Sequence, residues 1–216
     1  MNSSTIEFPA SASDPIRSLI QRLSIGSEGA HARSIAFVAA RAREGTSTIA
    51  WEYAKTLAAE TDQKVLLIDA GAADTDRYRD HDLSFSSGMV DAVLAGQPAS
   101  AVIKASSQGI WVACWVGAEK NRTFGGRALH DAALWKGLSN SFDSIIIDAP
   151  SLQFSFDGIA LAAKAEATVI VIEAESTPEP VVKNLQNKLT ASGATIVGTI
   201  MNKRRYYIPE KIYKRL

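Results

Sequence analysis

Residues 34–48 read SIAFVAARAREGTST. The apolar, β-branched run from Ser34 to Ala40 predicts a buried strand, and the periodic apolar residues of 47–59 predict a helix after the intervening loop. In open sheets of parallel strands, ligands bind at the carboxyl ends of the strands. This stretch therefore predicts a strand–loop–helix unit whose loop lies where a ligand would bind.

The rest of the chain repeats this alternation of short apolar strands and helices. Further strands are predicted at residues 64–68, 109–116, 144–147, 168–172 and 195–201, and further helices at 88–96, 127–138, 156–164 and 181–192. Continuous β-branched strands separated by helices are typical of a parallel sheet that is buried on both faces. We predict an α/β fold with a doubly wound, mostly parallel sheet in a three-layer α/β/α arrangement.

The predicted domain spans residues 14–202. It is preceded by a flexible tail at residues 1–13, which is rich in Ser and Ala, and followed by a basic tail at residues 203–216. The domain opens with an amphipathic helix after Asp14-Pro15, whose apolar face is formed by Ile16, Leu19, Ile20 and Leu23.

Composition and charge exclude several classes of protein. The 23 Lys and Arg residues balance the 23 Asp and Glu residues, so no basic field argues for a nucleic-acid partner. Cys114 is the only cysteine, which excludes a disulfide within the chain. No apolar run reaches the roughly 18–20 residues of a membrane span, and no secretory signal is visible. We predict a soluble, cytoplasmic protein.

The loop after the first strand matches the phosphate-binding pattern GxxxxGK[ST] in place and length. Gly45 and Ser47 fit the pattern, but Thr46 stands at the lysine and Ala40 at the first glycine. Backbone N–H groups of such a loop bind phosphates, and its Ser/Thr hydroxyl binds Mg²⁺. The alternative is an ordinary turn with Ser47 or Thr48 as a helix cap. The candidate nucleotide-binding residues are Arg41, Arg43, Glu44, Gly45, Thr46, Ser47 and Thr48.

Two aspartates follow buried strands directly. Asp69 comes after VLLI and Asp148 after SIII. A carboxylate at such a strand end, facing a phosphate-binding loop, typically holds Mg²⁺ or its waters. The alternative for each is a turn or capping aspartate. Asp69 and Asp148 are the candidate catalytic residues, and Ser47, Asp69 and Asp148 are the candidate Mg²⁺ ligands.

Several motifs resemble those of one family, the cytoplasmic domain of bacterial tyrosine kinases, which lies within a wider P-loop group that includes partition and division-site ATPases of the ParA/MinD type. AARAREGTST (39–48) resembles the family's SARPGEGKST, VLLIDAGAA (65–73) its VLLIDADLR, FDSIIIDAPS (142–151) its FDYVIIDTPP, and GMVDAVLAG (88–96) its GLSDVLAG. The resemblance extends over residues 14–202. It implies a P-loop NTPase-like fold, ATP or ADP with Mg²⁺ as cofactors, and an inner-membrane polysaccharide chain-length regulator as partner.

The chain departs from the family pattern at positions that serve the chemistry. Thr46 replaces the P-loop lysine, and Gly71 and Ala73 replace the second aspartate and the arginine of the second motif. Losing a charge that meets the transferred phosphoryl group typically costs on the order of 10² to 10³ in rate. Substitutes for the lysine are Arg41 or Arg43, and substitutes for the aspartate are Asp74 or Asp76. The family's oligomer-forming ExxRxxR is matched only by Ser18, Gln21 and Ser24, which leaves oligomer formation open.

Residues 203–216 carry six basic residues and one acidic residue. Basic amphipathic segments bind anionic membrane surfaces, so this tail predicts peripheral attachment at the inner membrane. The alternative is a solvated last helix that packs on the sheet. Tyr206, Tyr207 and Tyr213 are a sparse version of the family's phosphorylated tyrosine cluster, and whether they are phosphorylated stays open.

Three functions fit these observations. The first is a degenerate, kinase-like protein that regulates exopolysaccharide or capsule synthesis and export by docking on the chain-length regulator. The second is an active ATP-dependent protein-tyrosine autokinase with an unusual P-loop. The third is a nucleotide-switched positioning ATPase of the ParA/MinD type, whose relatives carry a signature lysine where this chain has Arg41.

Overall fold

A computed structural model of the chain describes residues 5–7, 13–25, 32–71, 83–117, 126–153, 155 and 157–204. Within these ranges, eight strands form one sheet in the order β1-β8-β7-β2-β6-β3-β5-β4. The strands are β1 (Thr5–Glu7), β2 (Ser34–Ala39), β3 (Val65–Asp69), β4 (Lys104–Ala105), β5 (Trp111–Cys114), β6 (Ser144–Asp148), β7 (Ala167–Glu173) and β8 (Ile196–Asn202). Neighbouring strands are parallel except β4, which is antiparallel to β5. The predicted doubly wound, mostly parallel sheet is confirmed.

Helices cover both faces of the sheet. They are α1 (Ser13–Ile25), α2 (Thr46–Thr61), α3 (Met89–Leu94), α4 (Gly126–His130), α5 (Ala132–Ser141), α6 (Asp157–Ala162) and α7 (Glu179–Ala191), with a short 3₁₀ helix at Ala99–Ala101. Apolar side chains of α1 and α2 belong to one core, and those of α3 to α7 belong to the other. Neighbouring strand residues alternate between the cores: Phe37 lies in the first and Val38 in the second. The three-layer arrangement explains why the strands are apolar on both sides.

Three features differ from the sequence prediction. Residues 5–7 were predicted as part of a flexible tail, but they form an edge strand beside β8. The edge strands β1 and β4 have three and two residues, too short for apolar alternation to reveal them. The helix predicted at 127–138 is two helices, because the Asp131 carboxylate caps α5 by accepting a hydrogen bond from Leu134 N at 2.9 Å.

The predicted apolar face of the first helix is confirmed. Ile16, Leu19 and Ile20 are buried, and Leu23 packs partly buried against the same core. Arg17 of this helix pairs with Glu60 of α2, so an exposed ion pair joins α1 to the helix that follows β2.

Tyr53 gives α2 a titratable group inside the core. Its side chain is 2% exposed and packs against Phe37, with ring centroids 5.3 Å apart. Burial raises the pKa of the Tyr53 phenol above its ordinary value near 10. The folded state therefore keeps the phenol proton where the unfolded chain loses it, and the stability that depends on Tyr53 falls as pH rises above this value.

We expect Tyr53→Phe to be less sensitive to alkali than the wild type. The stability lost by the wild type at about pH 11 relative to neutral pH should exceed that lost by the variant by roughly 1.4 kcal/mol. Urea unfolding of both proteins across this pH range measures the difference. Identical pH dependence of the two proteins would contradict the argument.

Candidate functional site

The predicted site residues meet at the carboxyl edge of the sheet. β2 lies between β6 and β7, so the chain leaves it at the point where the strand order reverses, and ligands bind at such points in α/β sheets. Asp69 and Asp148 are paired residues of the neighbouring strands β3 and β6. The structure therefore brings both aspartates and the 40–46 loop to one place.

Gly45 sets the path of the loop into α2. Its φ of 95° lies in the left-handed region, and a Cβ at this position would overlap the side-chain amide of Asn202. That amide donates through Nδ2 to the carbonyl oxygen of Glu44 at 2.9 Å. The end of β8 thus holds the loop just before the helix begins. Arg43, with a φ of 65°, takes a backbone conformation in which glycine is more usual.

The side chain of Glu44 braces the loop from inside. It is 2% exposed, its Oε2 accepts from Arg41 N at 3.0 Å, and its Oε1 accepts from the hydroxyl of Thr177. Gln153 Oε1 accepts from Ala42 N at 3.2 Å on another side. Glu44 was predicted as a nucleotide-binding residue; in the structure its carboxylate accepts these two half-buried hydrogen bonds, which shape the loop.

A cavity of about 520 Å³ lies over the loop. Six of the seven predicted loop residues line it, namely Arg41, Arg43, Gly45, Thr46, Ser47 and Thr48. Asp148 and Lys203 also line it, so the described lining carries three cationic side chains and one carboxylate. The volume falls within the range of small-molecule sites, and the excess positive charge favours an anionic ligand.

Of the three predicted Mg²⁺ ligands, Ser47 and Asp148 are placed better to hold the ion than Asp69. Ser47 lies in the first turn of α2, and its hydroxyl and the Asp148 carboxylate supply the oxygen ligands that Mg²⁺ prefers. Asp69 Oδ1 instead accepts from Gly71 N at 2.8 Å, and Asp69 is not among the described residues that line the cavity. Ser47 and Asp148 are therefore the residues that would hold the ion.

Several residues of the sequence prediction lie outside the described ranges. They are Ala73, the two carboxylates Asp74 and Asp76 predicted to replace the missing aspartate, and the tail tyrosines Tyr206, Tyr207 and Tyr213. Thr46 is described: it is the first residue of α2, is 9% exposed and brings no charge to the cavity.

Lys203 is a residue of the cavity that sequence reasoning missed. The prediction placed it in the basic tail, but it lines the cavity and its Nζ donates to the carbonyl oxygen of Arg43 in the loop. The signal was available, because Lys203 directly follows the last parallel strand, and all parallel strands of a sheet end at the same edge.

Comparisons with known proteins give two curated relatives. No protein-family model matches the chain. It is 32% identical over 72 residues to CapB, a candidate tyrosine-protein kinase of Staphylococcus aureus, and this match covers 33% of the chain and 32% of CapB. It is 27% identical over 179 residues to the succinoglycan biosynthesis transport protein ExoP of Rhizobium meliloti (strain 1021). That match covers 81% of the chain but only 23% of ExoP.

Solved structures share almost the whole architecture. The kinase domain of the Escherichia coli tyrosine kinase ETK superposes with a TM-score of 0.79 at 20% identity, covering 96% of this chain and 86% of that one. The chimerical protein CapA2B2 superposes with a TM-score of 0.80 at 18% identity, covering 95% of each chain. The chain has the fold of a bacterial tyrosine-kinase domain.

A solved structure of a nucleotide-bound synthase shares a smaller part of this fold. Cobyrinic acid a,c-diamide synthase from Mycobacterium smegmatis, solved with ADP and magnesium, superposes with a TM-score of 0.62 at 17% identity, over 78% of this chain and 73% of that one. Among the described residues, no helix is long and apolar enough to cross a membrane.

Proposed function

We propose that this chain is a degenerate tyrosine-kinase-like P-loop protein that binds a magnesium nucleotide but transfers its phosphoryl group poorly. The observation that carries the proposal is Thr46. The loop around it has a braced backbone, a left-handed Gly45 and a hydroxyl–carboxylate pair suited to Mg²⁺, while the position of the lysine carries no charge. Features that suit binding are present, and a feature that serves transfer is missing.

Binding and transfer separate because they depend on different groups. Backbone N–H groups and the N-terminus of the 16-residue helix α2 attract phosphates in both the ground state and the transition state. The P-loop lysine adds a positive charge that stabilises the transition state more than the ground state, because negative charge develops during the transfer. A loop without that lysine is therefore expected to keep much of its ground-state affinity and lose most of its rate.

The proposed biological role is regulation of exopolysaccharide or capsule assembly. One relative is named for succinoglycan biosynthesis transport and the other as a candidate tyrosine kinase. We propose that the domain docks on the cytoplasmic part of an inner-membrane chain-length regulator and acts there through contacts more than through catalysis. Its proposed location is the cytoplasmic side of the inner membrane.

Calorimetry tests the nucleotide half of the proposal. ATP and ADP are titrated into the wild type and into Asp148→Ala, each with and without Mg²⁺. We expect Mg²⁺-dependent binding by the wild type and at least about tenfold weaker binding by Asp148→Ala. The variant loses the carboxylate proposed to hold Mg²⁺, and interactions with charged groups are individually strong. Asp69→Ala is the matched comparison from the neighbouring strand. Its affinity for the magnesium nucleotide should fall less than that of Asp148→Ala. A folded wild type that gives no heat with millimolar nucleotide would reject nucleotide binding.

A pull-down tests the proposed regulatory role. The protein is incubated with the cytoplasmic helices of the chain-length regulator, and binding is measured with and without Mg-ATP. Binding without phosphotyrosine supports the degenerate-kinase proposal, and absence of binding would reject it.

One observation favours an active kinase as the second candidate. Arg41 and Lys203 both line the cavity, so a positive charge is available near the loop despite Thr46. Phosphotyrosine formed in the wild type with Mg-ATP and lost in Asp148→Ala would establish the active kinase and end the degenerate one. The ParA/MinD-type positioning ATPase stays a prediction, since its motivation is the basic tail, of which the structure describes only residues 203 and 204.

A further inference from the structure

The end of β8 is fixed against the phosphate-binding loop by two contacts. Asn202 donates from its side-chain amide to the Glu44 carbonyl oxygen at 2.9 Å, and Gly45 packs so closely on the same amide that a Cβ would overlap it. Strand and loop therefore keep a fixed spacing. Whatever residue follows Asn202 must lie beside the loop.

That residue is Lys203. Its φ of 58° turns the chain sharply at the end of the strand, and its Nζ donates to the carbonyl oxygen of Arg43. The same Nζ lies 3.4 Å from Oε2 of Glu173, which ends the adjacent strand β7. Lys203 also lines the 520 Å³ cavity together with Thr46, Ser47 and Asp148. The ammonium group is thus held at the edge of the pocket that the loop encloses.

The present partners of Lys203 are weak ones. The side chains of Lys203 and Glu173 are 43% and 34% exposed, and ion pairs as exposed as this contribute little because water screens them. The loop carbonyl is an uncharged acceptor. A phosphate offers several charged oxygens, and hydrogen bonds between charged groups are shorter and stronger than those to a carbonyl. The flexible four-carbon stem of lysine lets the ammonium group change partners without backbone movement.

We propose that Lys203, from the end of the last strand, supplies the phosphate-binding cation that Thr46 leaves out of the loop. The proposal rests on the nucleotide binding proposed above and assigns it a residue. Of the two arginines that line the cavity, Arg41 directs its guanidinium to the carbonyl oxygen of Ser176 at 3.4 Å, outside the loop. Arg43 is exposed, as Lys203 is, and its carbonyl oxygen is the acceptor of the Lys203 ammonium group. Lys203 comes from another strand and donates to the backbone of the loop.

The test measures affinity instead of activity. Mg-ATP and Mg-ADP are titrated by calorimetry into the wild type, Lys203→Met and Lys203→Arg. We expect Lys203→Met to bind about tenfold more weakly, the loss typical of one charged hydrogen bond, and Lys203→Arg to retain most of the affinity. Lys183→Met is the matched control, because Lys183 also pairs with a glutamate on an exposed surface but is not among the described residues that line the cavity.

A second variant separates a role in binding from a role in structure. In Thr46→Lys/Lys203→Met the loop regains its own lysine, so affinity should return to near the wild-type value. If Lys203 only braced the loop, this double variant would bind as poorly as Lys203→Met, and the unfolding midpoint of Lys203→Met in urea would fall with its affinity.

The possible failures are distinguishable. A wild type that binds no nucleotide overturns the proposed nucleotide binding, and the role of Lys203 with it. A wild type that binds, together with Lys203→Met that binds equally well, overturns the role of Lys203 alone. Loss of binding in Arg41→Met but not in Lys203→Met would transfer the role to Arg41 and overturn the assignment to Lys203.

Discussion

Thr46→Lys is expected to raise phosphoryl transfer from Mg-ATP on the order of 10²-fold above the wild type. Thr46 is the first residue of α2, directly after Gly45, and it lines the cavity. A lysine here places its charge at the N-terminus of the helix, beside the cavity proposed to hold the phosphates. The expected gain in affinity is smaller than the gain in rate, because Lys203 is proposed to supply part of the binding charge.

The measurement is single-turnover ATP hydrolysis or phosphotyrosine formation with saturating nucleotide. Thr46→Met is the matched control, because methionine has a comparable length without the charge. If Thr46→Lys were no faster than Thr46→Met, the missing lysine would not be the cause of poor transfer. Gly71, which stands where the family has its second aspartate, would then be the next candidate.

The second large effect concerns Gly158 in α6. This glycine is buried, and a Cβ here would overlap the carbonyl oxygen of Pro150, two residues after Asp148. The backbone next to Pro150 has little freedom to yield, because Ala149 N donates to Phe37 O at 2.9 Å. We expect Gly158→Ala to lower the free energy of unfolding by about 2–3 kcal/mol, as overpacking does in tight cores.

Gly137 in α5 provides a control of opposite sign. Among the described residues, no atom outside its own helix lies within 4 Å of the Cβ that alanine would add. Gly137→Ala should therefore stabilise the protein by about 0.5–1 kcal/mol through helix propensity alone. Urea unfolding of the two variants measures both effects. Destabilisation by Gly137→Ala, or a neutral Gly158→Ala, would contradict the packing argument.

The sequence was sufficient to predict the sheet because its central strands have continuous apolar, β-branched segments. β2, β3, β6 and β7 are buried on both faces, as expected of strands in a covered parallel sheet. The two shortest edge strands could not be predicted, since a strand such as β4 is fixed by its neighbour and has no pattern of its own. The break at Asp131 was readable in principle, because aspartate favours the N-cap over a helix interior.

The loop was predictable from local spacing, but the roles within it were not. Glu44 faces Thr177 and Lys203 faces Arg43, and these partners are 133 and 160 residues apart in the chain. Contacts of that separation depend on how β7 pairs with β2 and β8 with β7, which no local pattern encodes. The sequence also could not distinguish Asp148 from Asp69. Asp148 lines the cavity, whereas Asp69 is not among the described residues that line it.

The bracing of the loop by Glu44, Gln153 and Asn202 has a consequence for how the site can change over evolutionary time. In many ligand-binding loops the ligand itself organises the backbone, so weaker binding also means a less ordered loop. Here the entropy cost of ordering the loop is met during folding, by hydrogen bonds from other side chains of the protein. Substitutions at Thr46 are thereby uncoupled from the integrity of the fold, so a domain of the proposed kind would lose catalytic power gradually while the outer surface proposed to contact a partner stays the same.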